Sequence, residues 1–156
     1  MTGILISKPN AKKLIENLFS KADPTQHRFK PAFLKHADAT CEIARKTATD
    51  IISRHPELKI DSEMVTIAAY LHDIGRLLNV EQRFHEIRGA LYIRDIGCEV
   101  GITADKNDLE RLSEMIISHF IVYEEFSDGD YILRREFPGI TPLFLLPKTI
   151  EQQIIV

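Results

Sequence analysis

The sequence has little of the material that marks several classes of protein. Its 156 residues include only 2 cysteines, too few for a disulfide scaffold. Cys41 and Cys98 both lie in apolar, helix-like segments, and we expect them to be small buried residues of a protein in a reducing compartment. Basic residues are not in excess, since 20 Lys and Arg oppose 23 Asp and Glu. That balance argues against a broad surface for nucleic acid or for an anionic membrane.

Long apolar segments and targeting signals are lacking as well. No stretch approaches the roughly 18 apolar residues that a membrane span requires. The N-terminal segment MTGILISKPN does not combine a basic region with a long apolar run, as a signal peptide would. Internal repeats and low-complexity tracts are also missing from the sequence. We therefore expect a single cytoplasmic domain spanning residues 1–156, large enough to fold around its own core without a disulfide.

What the sequence does contain is apolar residues at helical spacing. These predict an all-α fold, a bundle of five to six or more helices, whereas strand signals are weak except at residues 131–133. Capping residues and prolines set the expected boundaries. The predicted helices begin near Asn10 (as N-cap), Pro31, Asp61 (as N-cap), Gln82, Asn107 (as N-cap) and Pro147.

The most apolar of these helices ends in two ionisable residues. The helix that follows Asp61 is apolar on nearly all sides up to Leu71, which is typical of a helix buried at the centre of a domain. His72 and Asp73 come next, and Gly75 is expected to end the helix in a left-handed conformation. Burying an unpaired carboxylate is costly unless a cation compensates its charge. Imidazole and carboxylate ligands together suit Mn, Fe, Zn, Co or Ni, or Mg where more oxygen ligands join them.

Three further histidines are placed where they would face the same core. His36 borders the apolar stripe of the long helix, and His119 continues the apolar stripe of a later one. His85 lies near the start of the helix after the His-Asp pair, and Gly89 on the same face would allow another element to approach closely. Each histidine alone is more often a hydrogen-bonded core residue than a ligand. Four histidines and an aspartate directed at one core nevertheless favour a metal site.

The segment LHDIGR, residues 71–76, resembles the signature of the HD-domain metal-dependent phosphohydrolases, in the subgroup written HDIG. The order of the other histidines matches too. His36 stands upstream, His85 follows within FHEIRGA, and His119 follows within IISHF. The resemblance covers residues 31–120, the motif-bearing core of the chain.

This resemblance implies both a fold and a set of ligands. The fold would be an all-α bundle of five or more helices. His36, His72 and Asp73 would bind a first divalent metal ion. In members with two ions, Asp73 would bridge them, and His85 and His119 would hold the second. The reaction would be hydrolysis of a phosphomonoester or phosphodiester, often of a nucleotide, by water that the metal activates.

Three arginines are the candidates for contacting the substrate. Arg76 follows the His-Asp pair, where many family members carry Lys, and its planar fork suits phosphate oxygens. We predict that Asp73 and Arg76 serve catalysis. Arg83 and Arg88 are expected to extend a basic rim that, with Arg76, binds the substrate.

The sequence departs from the family pattern towards its end. The motif closes with an aspartate on a late helix, and no clean match is present. Asp128 and Asp130 lie in a predicted loop, and the final segment PKTIEQQIIV resembles the helix that leads into the missing aspartate. We expect either that the sequence is a fragment or that its apolar end docks on the core. The last metal ligand would then be lost by truncation, or replaced by water or Glu.

Three functions remain open from the sequence. The leading prediction is a cytoplasmic metal-dependent phosphohydrolase that holds one or two divalent ions and acts on a small phosphorylated substrate, a nucleotide. The alternative, favoured by the missing aspartate, is a catalytically weak domain that binds metal and a phosphate or nucleotide ligand in a regulatory role. The third is a helical interaction module whose histidines are structural. A membrane or a large nucleic acid is not expected as a partner, whereas a homo-oligomer is left open.

Overall fold

The computed structural model describes residues 6–79 and 83–118, together with Glu151 and Ile154. Within these ranges the chain is built from helices and contains no strand, so the expected all-α fold is confirmed. The α-helices are α1 (Lys8–Lys21), α2 (Lys30–Arg54), α3 (Ser62–Leu71), α4 (His85–Ile96) and α5 (Lys106–Ile117). Two short 3₁₀ helices join them, the first at Pro24–Phe29 and the second at Ile74–Leu77.

Helix α3 lies at the centre of the bundle, as its sequence predicts. From Met64 to Leu71 every residue except Thr66 is buried, and the helix packs against α1, α2 and α5. Asp61 is its N-cap, as predicted, and its side chain accepts a hydrogen bond from the backbone N–H of Met64 at 3.0 Å. A helix buried on all sides has its position fixed by its neighbours, so the residues at its end are held in place as well.

Two predicted N-caps are wrong. Helix α1 begins at Lys8 after Ser7, because Pro9 is well suited to the first turn of a helix and Asn10 therefore lies inside it. Helix α5 begins after Asp105, whose side chain accepts from the backbone N–H of Asn107 at 2.8 Å. In each segment the helix begins earlier than the predicted cap, after Ser7 without a capping hydrogen bond from its side chain and after Asp105 with one.

Gly75 does not end α3 in a left-handed conformation, which corrects the prediction. The helix ends at Leu71, and Gly75 lies in the second 3₁₀ helix, where its φ is not positive. The residue is small because α4 passes directly over it. A Cβ built on Gly75 would lie 2.6 Å from the backbone nitrogen of Gly89, and one on Gly89 would lie 3.1 Å from the backbone nitrogen of Gly75. The close approach predicted from Gly89 is therefore confirmed.

The start of α4 differs from the prediction. The helix begins at His85 and not near Gln82, because Arg83 and Phe84 form a turn. Phe84 adopts a left-handed conformation with φ of 58°, which is uncommon for a residue with a side chain, and its ring is buried. This turn places His85 at the first position of α4, against the second 3₁₀ helix.

The two cysteines have different environments. Cys41 on α2 is buried, as expected, and burial raises the pKa of its thiol. Cys98 is exposed, so the prediction that it is buried is wrong. Gly97 closes α4 just before it, and Cys98 therefore lies in a surface turn and not on the buried face of a helix.

Membrane insertion is not indicated by the helices. Within residues 6–79 and 83–118, none of them has both the length and the apolar character that crossing a bilayer requires.

Candidate metal centre

The His-Asp pair is placed by the end of the buried helix α3. His72 is the C-terminal cap of that helix and Asp73 leads into the second 3₁₀ helix. Their exposed fractions are 6% and 9%. The chain therefore carries two ionisable side chains into the interior, where each needs a compensating partner.

A hydrogen bond to the backbone fixes which ring nitrogen of His72 carries the proton. Its Nδ1 lies 2.7 Å from the carbonyl oxygen of Ala69. A carbonyl oxygen only accepts, so Nδ1 carries the proton and donates it. In the neutral ring the lone pair then belongs to Nε2, the atom that faces the other side chains of the cluster. This is the arrangement in which metal-binding histidines are usually held.

Helix α2 brings His36 to the same point from the opposite side. The Nε2 atoms of His36 and His72 lie 3.1 Å apart. Each of them lies 3.4 Å from Oδ2 of Asp73. His36 differs from the other two residues because its side chain is 55% exposed. The cluster is thus closed towards the core and open towards solvent.

These three donor atoms fit a divalent metal ion. They all lie within 4.8 Å of one another. Ligand atoms bound about 2.0–2.2 Å from one ion lie roughly 3.0–3.5 Å from each other, and the observed separations fall in that range. Two imidazoles and a carboxylate also form a donor set that suits Zn, Mn, Fe, Co or Ni.

The second oxygen of Asp73 faces a different pair of residues. Oδ1 lies 2.8 Å from Nε2 of His85 and accepts a hydrogen bond from Nε of Arg76 at 2.9 Å. His85 is 6% exposed and is the first residue of α4. The carboxylate is therefore shared, with one oxygen turned to His36 and His72 and the other to His85.

Glu86 is a neighbour of the site that the sequence analysis missed. Its Oε2 is buried and lies 3.4 Å from Nδ1 of His85, the ring nitrogen that points away from Asp73. No hydrogen bond joins this oxygen to the ring within the described residues, so Glu86 is a charged neighbour of His85 at the back of the site. The signal in the sequence is the His85-Glu86 pair at the start of a helix.

Arg76 joins the metal centre to a pocket that the sequence analysis also missed. Its side chain is 39% exposed and extends from Asp73 to a cavity of about 410 Å³. The cavity is bounded by α1, the first 3₁₀ helix, α2 and the second 3₁₀ helix. Its walls are formed by three aromatic rings and by polar and aliphatic neighbours, namely Phe19, Phe29, Phe33, Thr25, Gln26, Arg76 and Leu77.

The other two predicted substrate arginines lie at the start of α4. Arg83 is exposed, and Arg88 donates a hydrogen bond from its guanidinium to the backbone carbonyl of Arg83. This contact ties Arg88 to the turn before α4. Their role in binding substrate stays a prediction.

Several predicted residues lie outside the described part of the chain. These are His119, Asp128 and Asp130. Glu151 is described, and it is a glutamate in the segment that would lead to the missing ligand. Its carboxylate accepts from the backbone N–H of Asp61 at 2.7 Å and lies 3.5 Å from Arg111. Asp61 caps the far end of α3, about 15 Å from His72 along a helix of this length, so Glu151 does not complete the metal centre.

Comparisons with known proteins agree with the site. The HD domain family model matches residues 33–155, well over half of the chain. The match begins three residues before His36 and includes the His-Asp pair and His85. Neither a curated protein nor a solved structure gives a significant match.

Proposed function

Since the chain belongs to the HD domain family of metal-dependent phosphohydrolases, we propose that it hydrolyses a phosphate ester of a nucleotide. The observation that carries this proposal is the buried carboxylate of Asp73. One of its oxygens lies with the Nε2 atoms of His36 and His72, and the other lies with Nε2 of His85. A core aspartate with imidazole nitrogens on both sides is the pattern of a metal ligand and not of an ordinary structural ion pair.

The proposed ligands divide into two groups. His36, His72 and Asp73 hold the first divalent ion. If the site takes two ions, His85 and His119 would hold the second, and Asp73 would contribute to both. The resemblance in sequence order supports the assignment of His119. The identity of the ion is one of Mn, Fe, Zn, Mg, Co or Ni.

A bound divalent ion makes water acidic enough to attack phosphorus near neutral pH and offsets charge on the phosphate. The side chains of this protein supply the rest. Asp73 orients the attacking water as well as binding the ion, which requires its carboxylate to stay ionised. Arg76 donates hydrogen bonds to the phosphate oxygens from a guanidinium that Asp73 already holds in place.

A regulatory domain is the second candidate function. The observation that favours it is the position of Glu151, which is engaged with Asp61 and Arg111 at the other end of α3. The family's closing carboxylate is therefore not supplied by this glutamate. A site held by fewer protein ligands would bind metal and a nucleotide or other phosphate and turn it over poorly.

Elemental analysis and hydrolysis assays on the same preparation separate these functions. We expect one or two equivalents of a divalent metal per chain and release of product from nucleotides or p-nitrophenyl phosphate. Asp73→Asn keeps the size of the side chain but removes its charge. It should abolish metal binding and lower kcat/KM by at least about 1,000-fold.

Asp95→Asn is the matched control, because Asp95 is an exposed aspartate of α4 that pairs with its neighbour Arg94. It should leave both measurements unchanged. Metal binding without turnover of any phosphoester would support the regulatory function. Failure to bind any of the named ions would overturn both proposals and leave the histidines as structural residues.

A further inference from the structure

We infer that the aromatic pocket beside the metal centre binds the nucleobase of the substrate, so that the protein selects nucleotides over phosphate esters that lack a planar ring. This inference rests on the proposed function and names the residues that would recognise the substrate. The pocket, about 410 Å³, falls in the range of about 300–1,000 Å³ that is usual for sites of small ligands.

The pocket and the metal centre share two elements of the chain. Phe33 lines the pocket and stands three residues before His36 on α2, so the two side chains emerge on the same side of that helix. Arg76 lines the pocket while its Nε holds Oδ1 of Asp73 at 2.9 Å. A phosphate held by the metal and by Arg76 would therefore direct its ester group into the pocket.

The walls of the pocket suit a flat ring. Phe19 and Phe33 pack edge to face, with ring centroids 5.3 Å apart and an interplanar angle of 85°. Phe19 is 2% exposed, which anchors this pair to the core. Phe29 is instead 53% exposed at the edge of the pocket, whereas phenylalanine side chains are more often buried in folded proteins. Stacking on such a ring is available to every nucleobase, because each has a π face.

Polar groups of the first 3₁₀ helix add hydrogen-bonding capacity. Gln26 is half-buried and contributes an amide that both donates and accepts, as the edge of a nucleobase requires. The hydroxyl of Thr25 donates to Asp23, which caps this short helix. The guanidinium carbon of Arg28 lies over one face of the Phe29 ring, 4.6 Å from its centroid, which leaves the other face for a base to stack on.

The test uses nucleosides, which lack a phosphate and are not hydrolysed. Binding of adenosine, guanosine, cytidine and uridine is measured by calorimetry on the metal-loaded protein. Hydrolysis of the four nucleoside 5′-monophosphates is compared with that of ribose 5-phosphate. We expect at least one nucleoside to bind and its monophosphate to be preferred over ribose 5-phosphate.

Phe29→Ala should weaken nucleoside binding about 5- to 150-fold, the effect of removing one stacking ring. Phe29→Tyr keeps the ring and should restore binding. Ile43→Ala is the matched control, since Ile43 is another exposed apolar residue, on α2 and outside the pocket, and it should change nothing.

The outcomes separate this inference from the proposed function. Hydrolysis of ribose 5-phosphate and nucleotides at equal rates, with no nucleoside bound or with binding unaffected by Phe29→Ala, overturns the inference and leaves the hydrolase intact. Nucleoside binding that depends on Phe29, without hydrolysis of any ester, supports the pocket and overturns the hydrolase.

Discussion

The two sides of the candidate metal centre are built in different ways. On the inner side, His72, Asp73 and His85 are between 6% and 9% exposed. On the outer side, the side chain of His36 is 55% exposed and that of Arg76 is 39% exposed. One half of the same cluster thus belongs to the core and the other half to the surface.

The inner side is fixed by contacts with the backbone. His72 donates to the carbonyl of Ala69, and α4 packs so closely on Gly75 that no side chain fits there. The outer side depends on single side chains that extend from α2 and from the second 3₁₀ helix. The difference indicates that the inner side is held rigidly by the core and that the outer side is open to solvent.

Adding a side chain at Gly75, where α4 packs closely, should have the largest effect on stability, because it disrupts the packing behind the inner side. In Gly75→Ala the new Cβ would clash with the backbone at His85 and Gly89, neither of which can move as the end of a flexible side chain can. We expect the free energy of unfolding to fall by about 3 kcal/mol or more, as in other overpacked cores. Denaturant titration measures this loss, and a chelator competition should show weaker metal binding by the folded variant.

Gly101→Ala is the control for this prediction. Gly101 has a φ of 77° but open space around the position of a Cβ, so the substitution introduces strain without a clash. It should cost about 1–2 kcal/mol and leave metal affinity unchanged. Equal effects of the two variants on metal affinity would show that close packing at Gly75 does not position the site.

Removing one histidine from each side compares the two halves directly. His72→Ala removes a buried candidate ligand whose Nε2 lies 3.4 Å from Oδ2 of Asp73, whereas water can replace the exposed His36 in His36→Ala. We expect metal affinity to fall by at least about 100-fold for His72→Ala and about 10-fold for His36→Ala. Competition with a calibrated chelator gives both values.

His55→Ala serves as the reference in that comparison. His55 is an exposed histidine beyond the end of α2 that pairs with Glu57, so its removal should leave metal affinity unchanged. If His36→Ala proves as damaging as His72→Ala, the exposed side contributes as much as the buried one and the division into two halves is incorrect.

The sequence was sufficient to predict the inner side because its signals are local. The apolar run from Met64 to Leu71, ending in His72 and Asp73, specifies both a buried helix and the polar pair that it delivers. A distant contact explains the wrong prediction at Gly75. Glycine is common just after the end of a helix, so the local pattern predicted that Gly75 ends α3. Its actual role is to let α4 pack closely, and that contact is not visible in the local pattern.

The pocket was harder still to predict from local sequence patterns. Five of its lining residues lie within residues 19–33 but are divided among three elements, and the other two, Arg76 and Leu77, come from the second 3₁₀ helix later in the chain. An available signal is the spacing of Phe33 and His36, which places an aromatic ring and a candidate metal ligand on the same side of α2.

The smallest expected effect concerns another buried polar group of α3, the hydroxyl of Tyr70. Helix α3 gives His72 a backbone partner but buries Tyr70 at 1% exposure, with no hydrogen bond to its hydroxyl within the described residues. A buried hydroxyl without a partner destabilises the folded state. Tyr70→Phe should therefore leave the free energy of unfolding at pH 7 unchanged or raise it by up to about 1 kcal/mol.

The same hydroxyl predicts how stability changes in alkaline solution. Burial raises the pKa of Tyr70 to about 12 in the folded protein, from 10.0 for an ordinary tyrosine. Between these two values the unfolded chain loses the proton while the folded chain keeps it, so stability falls as pH rises, by up to about 1.4 kcal/mol per pH unit. This contribution is absent from Tyr70→Phe, whose stability should decline less steeply from pH 10 to 12. Identical slopes in denaturant titrations of the two proteins would mean that water reaches the hydroxyl and that the core around Tyr70 is less closed than its burial indicates.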